Sequence, residues 1–109
     1  MAQAYTYFAD LQAQLPEIPS DSILSRTVYS DEQVKVILFG FAAGQELSEH
    51  TSAKPAVIYI LSGEARVKLG TDSFEAMAGM WAHMPPNLPH SIQAKTPVSM
   101  LLMLLELAP

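Results

Sequence analysis

The sequence predicts an all-β fold, a sandwich or barrel of antiparallel strands. Short runs rich in β-branched and aromatic residues recur along the chain, and Gly, Pro, Asp and Ser residues separate them. No stretch has the 3.6-residue apolar periodicity of a long helix. About nine short strands at regular spacing, with turn signals between them, are typical of such a sandwich or barrel.

The chain of 109 residues and 11.9 kDa is too short for two cores, so we expect one domain covering residues 1–109. Residues 1–20 are predicted to form an N-terminal arm ahead of the strands. Within it, Phe8, Leu11 and Leu15 share one side of a short helical turn, which Pro16 ends.

The direction in which successive side chains point predicts the strands that follow the arm. In the second of them, Val34 and Leu38 face one way while Ile37 and Phe39 face the other, so we expect burial on both faces. Turn residues bound each segment. The predicted strands cover residues 23–29, 33–41, 46–51, 56–61, 65–69, 73–77, 80–84, 91–94 and 98–107.

Composition excludes several classes of protein. Half of the residues are hydrophobic and 16% are charged, which excludes a disordered chain. A net charge of −5 and a pI near 4.9 argue against nucleic-acid partners and anionic membranes. With no cysteine, disulfides, thiolate metal sites and cysteine nucleophiles are excluded. No signal peptide is visible and no apolar run is long enough to span a bilayer, so we expect a cytoplasmic protein.

Two spaced motifs hold all three histidines. Gly44 precedes His50 by six positions and Gly63 follows; Gly79 precedes Pro85 by six positions and His90 follows. With the strand pattern, these motifs resemble those of the cupin superfamily, and the fifteen residues between Gly63 and Gly79 resemble the compact, RmlC-like bacterial members. The resemblance implies an antiparallel jelly-roll barrel.

In cupins, two histidines and a glutamate of the first motif and a histidine of the second bind a divalent metal. The resemblance therefore implies metal ligands at His50 and His90, whereas Ser52 and Ala56 replace the other histidine and the glutamate. Catalytic metal sites usually have at least three protein ligands. A third histidine, His83, is a candidate ligand for Zn, Fe, Ni or Mn, although alternation also allows it to be a surface residue.

Loss of two polar ligands predicts a roomier, less charged barrel interior. We expect a small, mostly apolar or aromatic ligand, held by His50 and His90 without a full metal site. Five of the six methionines lie in the second half of the chain, where they either adapt to a ligand or pack in the core. The predicted pocket consists of His50, Ser52, Ala56, Ile58, Met84 and His90.

Two alternatives stay open, as does the question of whether the protein is an enzyme. One is a metal-dependent oxygenase or isomerase that uses His50, His90 and His83; the other is a protein-interaction domain without a working pocket. The last strand is apolar on both faces, and Tyr59 and Trp81 point outward on their own strands. A second subunit covering that surface would make the protein a homodimer.

Overall fold

The computed structural model describes residues 4–106 and confirms the all-β prediction. No α-helix occurs in this part of the chain, where the arm has one 3-10 turn, Gln12–Gln14. The last strand ends two residues earlier than predicted; Glu106 follows it and residue 107 lies outside the described part. The strands are β1 (Ile23–Ser30), β2 (Val34–Phe41), β3 (Glu46–His50), β4 (Ala56–Ser62), β5 (Glu64–Leu69), β6 (Asp72–Met77), β7 (Trp81–Met84), β8 (His90–Ala94) and β9 (Val98–Leu105).

The strands form two antiparallel sheets that face each other. The five-stranded sheet has the order β1-β2-β9-β4-β7, and the four-stranded sheet has the order β3-β8-β5-β6. Neighbours in each sheet are distant in sequence except for the β1–β2 and β5–β6 hairpins, as expected for a jelly roll. In residues 4–106 no helix has the length and apolar character needed to cross a membrane.

The hydrophobic core lies between the two sheets. Phe41, Ile58 and Met100 of the five-stranded sheet and Val67 and Ile92 of the four-stranded sheet are each at most 2% exposed. Because side chains alternate along a strand, each of these inward residues has outward neighbours. The two outer faces differ sharply in polarity.

The N-terminal arm covers part of the outer face of the five-stranded sheet. A Cβ placed on Gly40 of β2 would lie 2.6 Å from the Ile18 side chain, so the arm packs directly on the strand backbone. The Arg26 guanidinium of β1 donates a hydrogen bond to the Gln14 carbonyl at 2.7 Å. On the same face as Gly40, Leu38 is fully buried, which accounts for the apolar character of both faces of β2.

Ion pairs cover the outer face of the four-stranded sheet. Arg66 and Glu75 are cross-strand neighbours with a 2.9 Å contact, and Lys95 also binds Glu75. Lys68 lies 3.5 Å from Glu49. Hydrogen bonds from Lys95 and then Arg66 lower the pKa of the Glu75 carboxyl. This face is therefore solvated, unlike the outer face of the five-stranded sheet.

Candidate ligand-binding site

His50 at the end of β3 and His90 at the start of β8 are direct cross-strand partners. Their ring centroids lie 4.1 Å apart with an interplanar angle of 61°, an edge-to-face contact. His90 is 7% exposed, the only buried polar or charged residue among those described, whereas His50 is exposed. The pair thus joins a buried imidazole to one that meets solvent.

A β-bulge in β3 puts the two rings on the same face. Leu47 pairs with Ile92 and His50 with His90, so two residues of β3 lie opposite one residue of β8. Strict alternation from the inward Leu47 would turn His50 outward. The extra residue restores the inward direction of His50, and Glu49 points to the outer face, where it meets Lys68.

Backbone carbonyls fix the tautomer of both histidines. Nδ1 of His50 lies 2.9 Å from the Ser48 carbonyl oxygen, and Nδ1 of His90 lies 2.9 Å from the Leu88 carbonyl oxygen. Because a carbonyl oxygen only accepts, each neutral ring has its proton on Nδ1. Both Nε2 atoms are then lone-pair acceptors, and they belong to rings whose centroids lie 4.1 Å apart.

The other predicted pocket residues divide between the core and a loop. Ala56, Ile58 and Met84 are at most 2% exposed and pack in the hydrophobic core; Ala56 is the register partner of Met84. Ser52 is half-buried in the loop after β3, and its carbonyl accepts a hydrogen bond from the Asn87 N–H at 2.7 Å. The candidate site, called the mouth below, is therefore the end of the barrel formed by the His50–His90 pair and the Ser52 loop, while Ala56, Ile58 and Met84 belong to the packed core.

His83 is not brought to this mouth. It is exposed on β7 opposite Val57, on the outer face of the five-stranded sheet, while its neighbours Ala82 and Met84 point inward. Between residues 4 and 106, no three or more His, Cys, Asp or Glu side chains are close enough to hold a metal ion. Two imidazoles beside Ser52 and Ala56 do not fit a resident metal of the kind that cupins bind.

Sequence patterns did not reveal two parts of this site. Leu69, the register partner of His90 on β5, borders the mouth, and the Leu88 carbonyl sets the His90 tautomer. The position of Leu69 depends on strand register, which leaves no local signal, and that of the Leu88 carbonyl depends on the backbone conformation of the turn just before β8. In the turn between Pro85 and His90, Asn87 has a φ of 68°, a conformation that Asn tolerates.

Comparison with known proteins identifies the family. The family model for the cupin domain matches residues 37–104, which include most of β2 and nearly all of β9. The chain belongs to the cupin family. No curated protein matches this cupin significantly.

Solved structures support the same assignment. The cupin is similar to a conserved protein of unknown function from Streptococcus pyogenes, with 28% identity, a TM-score of 0.82, and coverage of 100% of this chain and 93% of that one. A cupin superfamily protein from Desulfitobacterium hafniense has 27% identity and a TM-score of 0.79, with 85% of each chain covered. An RmlC-like cupin from Desulfovibrio desulfuricans shares the fold at 24% identity and a TM-score of 0.80, with 93% and 96% covered.

Proposed function

We propose that this cupin binds a small molecule at the mouth of its barrel through Nε2 of His50 and Nε2 of His90, without a resident metal. The observation that supports this proposal is the pair of Nδ1–H···O=C hydrogen bonds, which leaves two adjacent Nε2 acceptors. A few convergent polar groups beside an apolar surface are typical of ligand sites.

The chemistry of the mouth indicates the ligand class. Bare Nε2 atoms accept hydrogen bonds, so the ligand must present O–H or N–H donors. Leu69 of β5, the half-buried register partner of His90, offers an apolar contact on one side. Because His50 is exposed and His90 is buried, the ligand meets His50 first and reaches His90 only by entering the barrel. A small, mostly apolar alcohol, phenol or amide meets these requirements.

Histidine NMR of the 15N-labelled protein tests the proposal. We expect long-range ¹H–¹⁵N spectra to show Nδ1–H tautomers for His50 and His90, and a panel of small alcohols, phenols and amides to include compounds that shift both Nε2 signals. The exposed His83 is the internal control, since its signals should stay unchanged. His50→Ala and His90→Ala should each abolish binding, whereas His83→Ala should retain it. Shifts that are equal in all three histidines, or absent throughout the panel, would refute the proposal.

A metal-dependent enzyme is the second candidate, and one observation favours it. Metal-binding histidines usually donate their other ring N–H to a carbonyl or carboxylate, as both histidines do here. Two imidazoles still leave the donor set one short of a catalytic site. Elemental analysis of untagged protein, after incubation with Zn, Fe, Ni and Mn, separates the candidates: near-stoichiometric metal that is lost in His50→Ala and in His90→Ala would replace our proposal.

We also propose that the protein is a homodimer. The arm covers β1 and β2 on the outer face of the five-stranded sheet; the open half of that face is formed by β9, β4 and β7. Val57 is buried there, Tyr59, Leu101 and Met103 are half-buried, and His83 is exposed. The ion pairs Arg66–Glu75, Lys95–Glu75 and Lys68–Glu49 all lie on the opposite face of the molecule. An apolar face of this kind fits a second copy related by twofold symmetry.

A further inference from the structure

A second cleft lies at the seam where the two sheets meet, next to the histidine site: Leu69 of β5 lines this cleft and pairs with His90 of β8 on one side and with Asp72 of β6 on the other. Within residues 4–106, β6 pairs only with β5 and β7 pairs only with β4, so each is an edge strand of its sheet. They are consecutive in the chain, and a short turn joins them. The cleft between them has a volume of about 260 Å³ and is lined by Leu69, Phe74, Glu75, Met80, Trp81 and Ala82.

The turn between the edge strands is fixed to the body of the barrel. The Gly79 N–H donates to the Ile60 carbonyl at 2.9 Å, and the Ile60 N–H donates to the Met80 carbonyl at 3.0 Å. Because both bonds hold the turn against β4, the spacing between β6 and β7 is set in the absence of any ligand. The cleft is therefore preformed, which lowers the entropic cost of filling it.

The walls of the cleft are unusually apolar for an exposed surface. Phe74 is 48% exposed although its register partner is the core residue Val67, so its ring projects from the inner face of the sheet into the seam. Trp81, on the edge strand β7, lines the rim of the cleft and is 61% exposed. Met80, Ala82 and Leu69 pack against the core below them. Two aromatic residues, one on each edge strand, thus border an apolar floor.

We propose that this seam cleft binds a neutral aromatic molecule of one or two rings. A cavity of roughly 150 Å³ lined by apolar side chains is enough for benzene, so 260 Å³ leaves room for a fused two-ring compound. Offset or edge-to-face contacts with the rings of Phe74 and Trp81 would contribute beyond the area buried. This binding site shares Leu69 with the mouth, but neither His50 nor His90 lines it.

Charge and hydrogen bonding limit the ligand further. Glu75, the one charged residue of the cleft, already binds Lys95 and Arg66, so it offers no free carboxylate to a cation. Edge strands present backbone N–H and C=O groups without a strand partner. A single hydroxyl or ring N–H on the ligand can bind one of them, so a neutral phenol or indole type of molecule fits better than an ion.

The single tryptophan of the chain reports on this cleft directly. We expect 2-naphthol, titrated into 15N-labelled protein, to produce a saturable shift of the Trp81 indole N–H. Phe74→Ala should weaken binding at least tenfold. Ala82→Leu, which fills the cleft from its floor, should do the same. The matched control is Phe8→Ala, in the arm near a separate cleft formed with Val28 and Val36, and it should bind as the wild type does.

Several outcomes would overturn this inference. The first is a Trp81 shift that rises linearly with 2-naphthol concentration and does not saturate. The second is unchanged binding in both Phe74→Ala and Ala82→Leu. The third is a loss of binding in Phe8→Ala equal to the loss in those two variants. Binding that weakens as protein concentration rises would mean that a second copy occupies the cleft instead. His50→Ala and His90→Ala distinguish this site from the mouth. If these variants abolish the Trp81 shift, the two sites are one. An unchanged Trp81 shift supports a separate site, whether or not the mouth binds a ligand.

Discussion

His50 lies opposite His90 only because β3 has one more residue than β8 between this pair and the Leu47–Ile92 pair. The bulge compensates for an alternation that would otherwise send the His50 ring to the outer face. The 4.1 Å contact between the two rings is therefore a property of strand register as well as of residue identity.

Deletions within the bulge test this dependence. Removing Ser48 alone should regularise the ladder and keep His50 opposite His90. Removing Ser48 and Glu49 together should place His50 one position from Leu47 and turn it outward. Nuclear Overhauser contacts between the two rings should persist in the single deletion, the matched control, and vanish in the double deletion. If they persist in both, the loop after β3 and not the register positions His50.

Gly63 is predicted to be the least replaceable glycine. Its φ is +91° and a Cβ there would lie 2.1 Å from the Pro97 carbonyl oxygen. Gly63→Ala combines a left-handed conformation with a backbone overlap, so we expect a loss of about 3 kcal/mol in the free energy of unfolding. Gly44, with a φ of +84°, is the control, because an added Cβ there would have no atom of the described residues within 4 Å apart from its chain neighbours; Gly44→Ala should cost about 1 kcal/mol. Urea denaturation measures both, and equal losses would contradict the role of Pro97.

The fold could be predicted from the sequence because its signals are local. Alternation located the nine strands to within a few residues, and three of the glycines that bound them, Gly44, Gly63 and Gly79, all have positive φ. Glycine adopts a positive φ without the steric cost that other residues have, so a glycine between two apolar runs is a local signal for a turn.

The site was less predictable because it depends on register between distant strands. Alternation correctly placed Trp81 outward, but alternation from Leu47 gives the wrong direction for His50, since the bulge has no sequence signature. The packing of Ile18 on Gly40 was also invisible, because nothing local specifies which face the arm covers. The roles of His50 and His90 as ligands stay predictions.

A charge on β9 should disrupt the proposed dimer. Met103 lies on the open half of the outer face, between its register partners Val36 and Val57. Met103→Glu would bury a carboxylate in an apolar interface, so we expect it to shift the protein from dimer to monomer. Gln93→Glu, on the exposed outer face of the four-stranded sheet, adds the same charge and should leave the dimer intact. Analytical ultracentrifugation measures both, and a monomeric wild type across micromolar concentrations would contradict the proposal.

The β1–β2 turn should make stability depend on pH at the acid end. The Tyr29 hydroxyl donates to Asp31 at 2.6 Å, and the other Asp31 oxygen accepts the N–H groups of Gln33 and Val34 at 2.7 and 2.9 Å. The hydrogen bond from Tyr29, followed by those from the two backbone N–H groups, lowers the pKa of the Asp31 carboxyl. The same bond raises the pKa of Tyr29.

A carboxyl whose pKa is lower in the folded state binds its proton more readily when unfolded. Its stabilising effect is therefore complete above the ordinary aspartate pKa of about 3.9 and is lost as the pH falls through the lower folded value. The wild type should be more stable than Asp31→Asn at neutral pH, and this gap should shrink between about pH 5 and pH 2. Urea midpoints across that range measure the gap, and the other carboxyls cancel because both proteins contain them. In a Tyr29→Phe background, the stability difference caused by Asp31→Asn should be smaller but not zero, since the two backbone N–H donors remain. A difference that does not depend on pH would mean that the Asp31 carboxylate does not stabilise this turn.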